Sequence, residues 1–344
     1  MNNKIRLFPL ARTLLTGALF TAGWVQAQDG SAFLGRWALT TPDKQAGWLE
    51  IKQENGWCDG SILWMWGSVV PVADVVVDGS TLTVTRVSDV PRKDEANRVV
   101  RTQQLTEIIT AQVTGDAMNL TRTVPRTDGS GFDRSQFTGR RIPALPPAPD
   151  LAKVRFGDPI TLLGGRDFTG WRVLESDRMN CWSMEEGVLV NRPPGWPHVE
   201  GKPHPDTANL RTIREFEDFN LRLEVNPPPG CNSGVYLRGI YEVQVLDSFG
   251  QPVDSHNMGA IYSRITPTVA AEKPPGEWQT LDITLVDRHV TVILNGTKII
   301  DNQPLQGCTG GALWSDEFRP GPIYLQGDHG PVSYRNIVLR PVVK

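Results

Sequence analysis

Charge of one sign, long apolar runs and paired histidines are all scarce in this sequence, and each scarcity removes a class of function. The 35 Lys and Arg nearly balance the 38 Asp and Glu, leaving a formal net charge of −3. No basic stripe gathers along the chain, so no nucleic-acid partner is expected. Beyond the amino-terminal region no stretch is apolar enough for a membrane span. Gly-x-Ser-x-Gly, Walker and dinucleotide fingerprints are missing, so no nucleophile elbow, phosphate loop or nicotinamide or flavin site is expected. His198, His204, His256, His289 and His329 are scattered with no His-x-x-x-His pair. That argues against a zinc site built of histidine alone and leaves a mixed carboxylate and histidine site open. Cys58, Cys181, Cys231 and Cys308 match no zinc spacing. Cys231 and Cys308 sit in glycine-rich loops and are the favoured disulfide pair, with free buried thiols as the alternative. No long stretch holds a helical period either, which points to an all-β chain.

The first residues read as an address. Lys4, Arg6 and Arg12 precede a short apolar run over residues 14–23, and Val25-Gln26-Ala27 fits a small-x-small cleavage pattern. Residues 1–27 are therefore expected to be a signal peptide cleaved after Ala27. A periplasmic or secreted protein in an oxidising compartment follows as an expectation. A length of 344 residues suits two domains. Residues 28–139 read as an amino-terminal all-β domain of about seven short strands, a small barrel or sandwich, with hairpin signals at Asn55-Gly56 and Asp78-Gly79. Its opening Gly35-Arg36-Trp37 resembles the start of small lipocalin-like barrels. Residues 140–153 carry Pro143, Pro146, Pro147 and Pro149 and read as a semi-rigid linker. Residues 154–344 alternate cleanly in several segments and turn at Asn295-Gly296, the pattern of a β-sandwich.

The carboxy-terminal half is organised around Asn232-Ser233-Gly234-Val235-Tyr236-Leu237-Arg238-Gly239-Ile240-Tyr241-Glu242-Val243-Gln244-Val245-Leu246-Asp247. Odd positions are mostly apolar, and even positions bring Tyr236, Arg238, Glu242 and Gln244 to one face. Gly239 marks a bulge or a hairpin turn. The polar row is either a solvated outer face or a face that binds a polar ligand such as a sugar. Retaining glycosidases need two carboxylates about 5 Å apart. On the face of Glu242 the next positions are Gln244 and Leu246, so this strand lacks the second one. Gln326-Gly327-Asp328-His329-Gly330 forms another cluster at a strand end, where a histidine beside a carboxylate suits proton transfer near neutral pH. A purely structural turn is its alternative. Lys273 precedes Pro274-Pro275-Gly276-Glu277-Trp278, which is either a sugar platform or a loop packed on the sheet.

These motifs occur in order with Asp167-Phe168-Thr169-Gly170-Trp171, Phe219-Asn220-Leu221-Arg222-Leu223-Glu224, Gly259-Ala260-Ile261-Tyr262 and Arg335-Asn336-Ile337. Together they resemble the DUF1080 family, named for 3-keto-disaccharide hydrolase or 3-keto-glucoside lyase-hydratase activity. The resemblance covers roughly residues 156–341 and excludes the amino-terminal domain. It departs at Gly327, which separates Gln326 from Asp328 where many relatives run Gln-Asp-His. It implies a concanavalin-like, jelly-roll β-sandwich that cleaves 3-keto-glycosides by β-elimination and hydration. Such chemistry needs a base, an acid and a stabilised enolate rather than two carboxylates in retaining geometry. The catalytic candidates are Glu242, His329, Asp328, Arg238 and Lys273, with a divalent cation as a further candidate for the enolate. The substrate-binding candidates are Asn232, Tyr236, Gln244, Asp247, Tyr262, Trp278 and Gln326. A separate sugar 3-oxidoreductase is the expected metabolic partner, because this chain carries no redox-cofactor fingerprint. The competing readings are a non-catalytic carbohydrate-binding domain and a conventional sandwich glycosidase.

Overall fold

The structure is a computed structural model that describes residues 30–343 apart from 65, 166 and 197–205. The expected signal peptide, His198 and His204 lie outside the described residues. Nine strands form the amino-terminal sheet: β1 Gly35–Thr40, β2 Ala46–Glu54, β3 Trp57–Trp64, β4 Trp66–Pro71, β5 Asp74–Asp78, β6 Thr81–Lys93, β7 Val99–Thr114, β8 Ala117–Pro125 and β9 Phe132–Ile142. They run in the order β4-β3-β2-β1-β9-β8-β7-β6-β5, with every described pair antiparallel. The ends of this path curl together. Val72 N–H donates to Gly60 on β3, Ala73 N–H donates to Thr85 on β6, and Gly60 packs against Val75 on β5. The result is an up-and-down barrel filled by alternate side chains such as Trp37, Leu39, Leu49, Ile51, Ile62, Leu82 and Phe137.

Two additions separate this barrel from the seven-strand expectation. A break at Val72-Ala73 separates β4 from β5. Strand β9 was not expected, and it carries the sheet to Ile142, past the residue where the linker was placed. From Pro143 onward the proline-rich segment leaves the sheet. It is held by Arg288, which donates to the carbonyls of Pro143 and Ala144, and by Asn302, which donates to that of Pro149.

The second half is a sandwich, which agrees with the expected fold class. Its strands are β10 Ile160–Leu163, β11 Trp171–Val173, β12 Trp182–Glu185, β13 Val188–Asn191, β14 Leu210–Thr212, β15 Phe219–Asn226, β16 Asn232–Leu237, β17 Tyr241–Leu246, β18 Gln279–Val286, β19 His289–Leu294, β20 Thr297–Pro304, β21 Tyr324–Leu325 and β22 Val332–Pro341. The larger sheet runs β12-β13-β22-β15-β18-β19-β20, with β10 also on β22, and the smaller runs β11-β14-β21-β16-β17. Leu221, Leu223, Leu281 and Ile283 from the first meet Val235, Leu237, Val243 and Val245 from the second in one dry core. Asn295 and Gly296 both take positive φ, 50° and 82°, as the β19–β20 hairpin requires. Burying the inner faces orders the five-stranded sheet and leaves its polar row outward.

The same apolar core continues into the barrel. Ala38, Ala46, Trp48 and Leu63 alternate with the barrel's own interior and face the sandwich. Arg264 stacks its guanidinium 4.3 Å from the Trp48 ring and donates to the Cys308 carbonyl. Cys231 and Cys308 are separate buried thiols, which corrects the expected disulfide, and burial pushes each up to about 12.

Candidate active site

The outward face of the smaller sheet carries the groove. Strands β16 and β17 pair Tyr236 with Glu242 and Gly234 with Gln244, so the even residues of both strands share one face. Asn232, Tyr236, Glu242 and Gln244 line the groove, with Tyr324, Gln326, Asp328 and His329 beside them. The cavity between these walls is about 140 Å³, narrow beside a typical ligand cleft, and it opens to solvent at its mouth. Another depression on the barrel's outer face is lined by Thr110, Gln112, Asn119, Thr121 and Gln136, with no titratable side chain among its walls.

Glu242 is buried at 4 % exposure, and burial pushes its carboxyl up to about 8, against the opposing hydrogen bond of Tyr236 and with the help of the Asp328 charge. Tyr236 Oη lies 2.9 Å from Glu242 Oε2 and 2.8 Å from the Gly310 carbonyl. One hydroxyl carries one proton. Both contacts are best satisfied when a protonated Glu242 donates to the Tyr236 oxygen and Tyr236 donates to Gly310. Tyr324 stacks on Tyr236 with ring centroids 4.2 Å apart and helps exclude water from the carboxyl. Gly234 is required here, because a Cβ at that position would overlap the Glu242 carboxyl.

Asp328 and His329 lie on the loop after β21. His329 Nδ1 is 2.7 Å from Asp328 Oδ1, and this contact raises the imidazole above its usual range despite partial burial. Burial pushes Asp328 up, but His329, Asn209 and Arg178 together bring it below the ordinary carboxylate value. Asn209 accepts from Gly327 N–H and Asp328 N–H, while Asn191 donates to the carbonyls of Gly327 and Gly330. Gly327, the departure from the resembled pattern, fits because a side chain there would meet Trp182 and the Ala208 carbonyl. The Oε1 atoms of Gln244 and Gln326 are buried with no protein partner. Both residues line the groove, so these amides belong to its floor.

Other expected site residues lie elsewhere. Arg238 falls on the β16–β17 turn with a positive φ of 55°, and its buried guanidinium donates to the carbonyls of Glu317 and Arg319. The hairpin turn at Arg238-Gly239 ended the alternation that had grouped Arg238 with Glu242. Lys273 Nζ bonds the Trp278 carbonyl, and Arg335 covers the Trp278 ring at 4.0 Å, so this segment is a loop packed on the sheet and not a groove wall. Asp247 accepts from Gly230 N–H at the end of β17 and braces that turn. Tyr262 does line the groove. Among the described residues no three His, Cys, Asp or Glu side chains gather as a metal-binding group.

Sequence reasoning missed Tyr324, Trp66, Gly67, Gly310 and Gly311, all groove residues. Tyr324 had a signal, since it shares strand parity with Gln326. Residues 158–340, just over half of the chain, match the model of the 3-keto-alpha-glucoside-1,2-lyase-like domain. The chain belongs to that family. Both groove clusters, from Asn232 to Gln244 and from Tyr324 to His329, fall inside the 3-keto-alpha-glucoside-1,2-lyase-like domain, whereas Trp66 and Gly67 fall outside it. A 3-keto-disaccharide hydrolase of Bacteroides thetaiotaomicron is 29% identical over 170 residues, which cover 41% of this chain and 57% of that protein. Two Parabacteroides distasonis structures provisionally assigned as glycosyl hydrolases are also similar. One is 28% identical, covering 58% of this chain and 94% of that one with a TM-score of 0.42, and the other is 19% identical, covering 54% and 94% with a TM-score of 0.43.

Proposed function

We propose that this protein cleaves 3-keto-glycosides by β-elimination followed by hydration. The observation that carries the reading is a buried carboxyl, raised to about 8, in the same groove as a His329–Asp328 pair. A ketone at C3 acidifies the C2 hydrogen. His329 takes that proton, and Asp328 stabilises the imidazolium and fixes Nδ1 so that Nε2 faces the reaction. The C2 electron pair passes through the enolate to form a C1–C2 double bond as the C1–O bond breaks. Glu242, protonated near neutral pH, gives its proton to the departing oxygen. Water then adds at C1 and a proton returns to C2, so the net reaction is hydrolysis.

The arrangement of carboxylates supports this reading over a conventional glycosidase. Asp328 is engaged by His329, Asn209 and Arg178, which leaves it poorly placed to act as a nucleophile opposite Glu242. Gln244, Gln326 and Asn232 hold the sugar hydroxyls in this scheme. The ketone comes from a separate oxidoreductase, and the reaction takes place in the periplasm or outside the cell. Incubation of purified protein with trehalose and with 3-keto-trehalose tests the proposal. Cleavage of the oxidised sugar alone is expected. Cleavage of plain trehalose would favour a conventional glycosidase, and binding of either sugar without cleavage would favour a carbohydrate-binding domain.

A further inference from the structure

Two groove residues come from the barrel, outside the family domain. Trp66 and Gly67 open β4, directly after the β3–β4 reversal that pairs Trp64 with Trp66. Gly67 rests on Gly310 so closely that a Cβ at Gly310 would overlap the Gly67 carbonyl oxygen. Gly310 is also the acceptor for Tyr236, the partner of Glu242. The barrel hairpin therefore packs one residue away from the hydrogen-bonded chain that ends at the buried acid.

Two contacts hold the hairpin there, and a third orients the histidine that makes one of them. Ser68 Oγ lies 2.8 Å from His256 Nε2, His256 Nδ1 lies 2.6 Å from Asp254 Oδ1, and Val69 N–H donates to Ser263 Oγ at 2.8 Å. The Ser68–His256–Asp254 order resembles a nucleophilic triad. The amide next to the serine, which such a triad would aim at an oxyanion, is already given to Ser263. The three residues act as a clasp. His256 also lies edge-on to Tyr262, with centroids 5.0 Å apart, and so ties the clasp to a groove wall.

Trp66 itself is 57 % exposed, an unusual state for the largest apolar side chain, and it lies at the mouth of a groove whose inner walls are polar. We infer that the barrel is a specificity element of the active site: Trp66 stacks on the leaving-group part of the glycoside. The inference rests on the proposed function. With the keto ring placed against Glu242 and His329, the portion beyond the scissile bond projects toward the mouth, where the flat indole meets a ring of similar width.

Methyl and phenyl 3-keto-glucosides test this, with the full chain and its Trp66→Ala and Trp66→Phe variants. The wild type is expected to prefer the phenyl glycoside. Trp66→Ala reduces that preference, read as the ratio of kcat/KM values, by about 10-fold, and Trp66→Phe restores most of it. The same ratio is read from Kd by calorimetry with and without Trp66→Ala, in a Glu242→Gln background that prevents turnover. An unchanged ratio in Trp66→Ala overturns the inference. Wild type that binds but does not cleave either glycoside defeats the proposed function while the Kd ratio still decides the role of Trp66. Wild type that binds neither glycoside contradicts both.

Discussion

Replacing Glu242 by Gln should make the protein more stable at neutral pH while it loses activity. The folded carboxyl sits at about 8 against an ordinary value of 4.5, chiefly through burial. A folded-state pKa above the unfolded one means that the group's contribution to stability is complete below 4.5 and is lost as pH rises toward 8. At pH 7 the loss is on the order of 3 kcal/mol, since each unit of pKa difference is worth about 1.4 kcal/mol. Glutamine fits the same space and does not ionise. Urea denaturation of both proteins across the range between these two pKa values should show the variant gaining on the wild type by about that amount, with the gain levelling off above the folded pKa. Turnover of a 3-keto-glucoside should fall about 10²–10⁴-fold. A stability difference that does not change with pH would refute the buried, protonated carboxyl. Wild-type turnover in the variant would refute its role as acid.

Five further outcomes follow from the same geometry. The pH–rate profile should be a bell, rising as His329 loses its proton above its ordinary range and falling near 8 as Glu242 ionises, and the alkaline limb should vanish in Glu242→Gln. His329→Ala should reduce turnover about 10²–10⁴-fold with little change in melting temperature, because the side chain is half-exposed at the groove rim. Gly234→Ala should displace the carboxyl and cost about 10²-fold in turnover, with the alkaline limb moving to lower pH, which a rate profile of the variant would read. Lys273→Ala should leave turnover within about twofold of wild type, as expected of a surface loop, whereas Arg238→Ala should lower unfolding free energy by about 1–3 kcal/mol by stripping buried carbonyls of their donor.

Much of the floor of the site was legible in the sequence because side chains alternate along a strand. Asn232, Tyr236, Glu242 and Gln244 share a face as period-two counting requires, and the turn between β16 and β17 happens to preserve that parity. The same counting misplaced Arg238, since the chain reverses at Arg238-Gly239 and the side chain turns into the protein interior. Strand β9 escaped notice because it offers little apolar alternation. Its inward positions are Phe137 and a glycine, Gly139, whose missing side chain leaves room for Leu39 and Met118. The pairing of Tyr324 with Tyr236 depends on a contact between β21 and β16, and Trp66 reaches the groove from another fold unit. Contacts of that kind are set by how sheets stack, and local periodicity carries no record of them.

Proton exchange at C2 tests the central claim most directly. A 3-keto-glucoside is cleaved by the protein in D₂O, and the released 3-keto sugar is examined by mass spectrometry at early times against an enzyme-free control. Elimination and hydration predict one deuterium at C2 in essentially every product molecule, with His329→Ala producing neither label nor cleavage beyond the control. Product released at the wild-type rate with hydrogen retained at C2, together with no slowing of a substrate that carries deuterium at C2, would contradict the account.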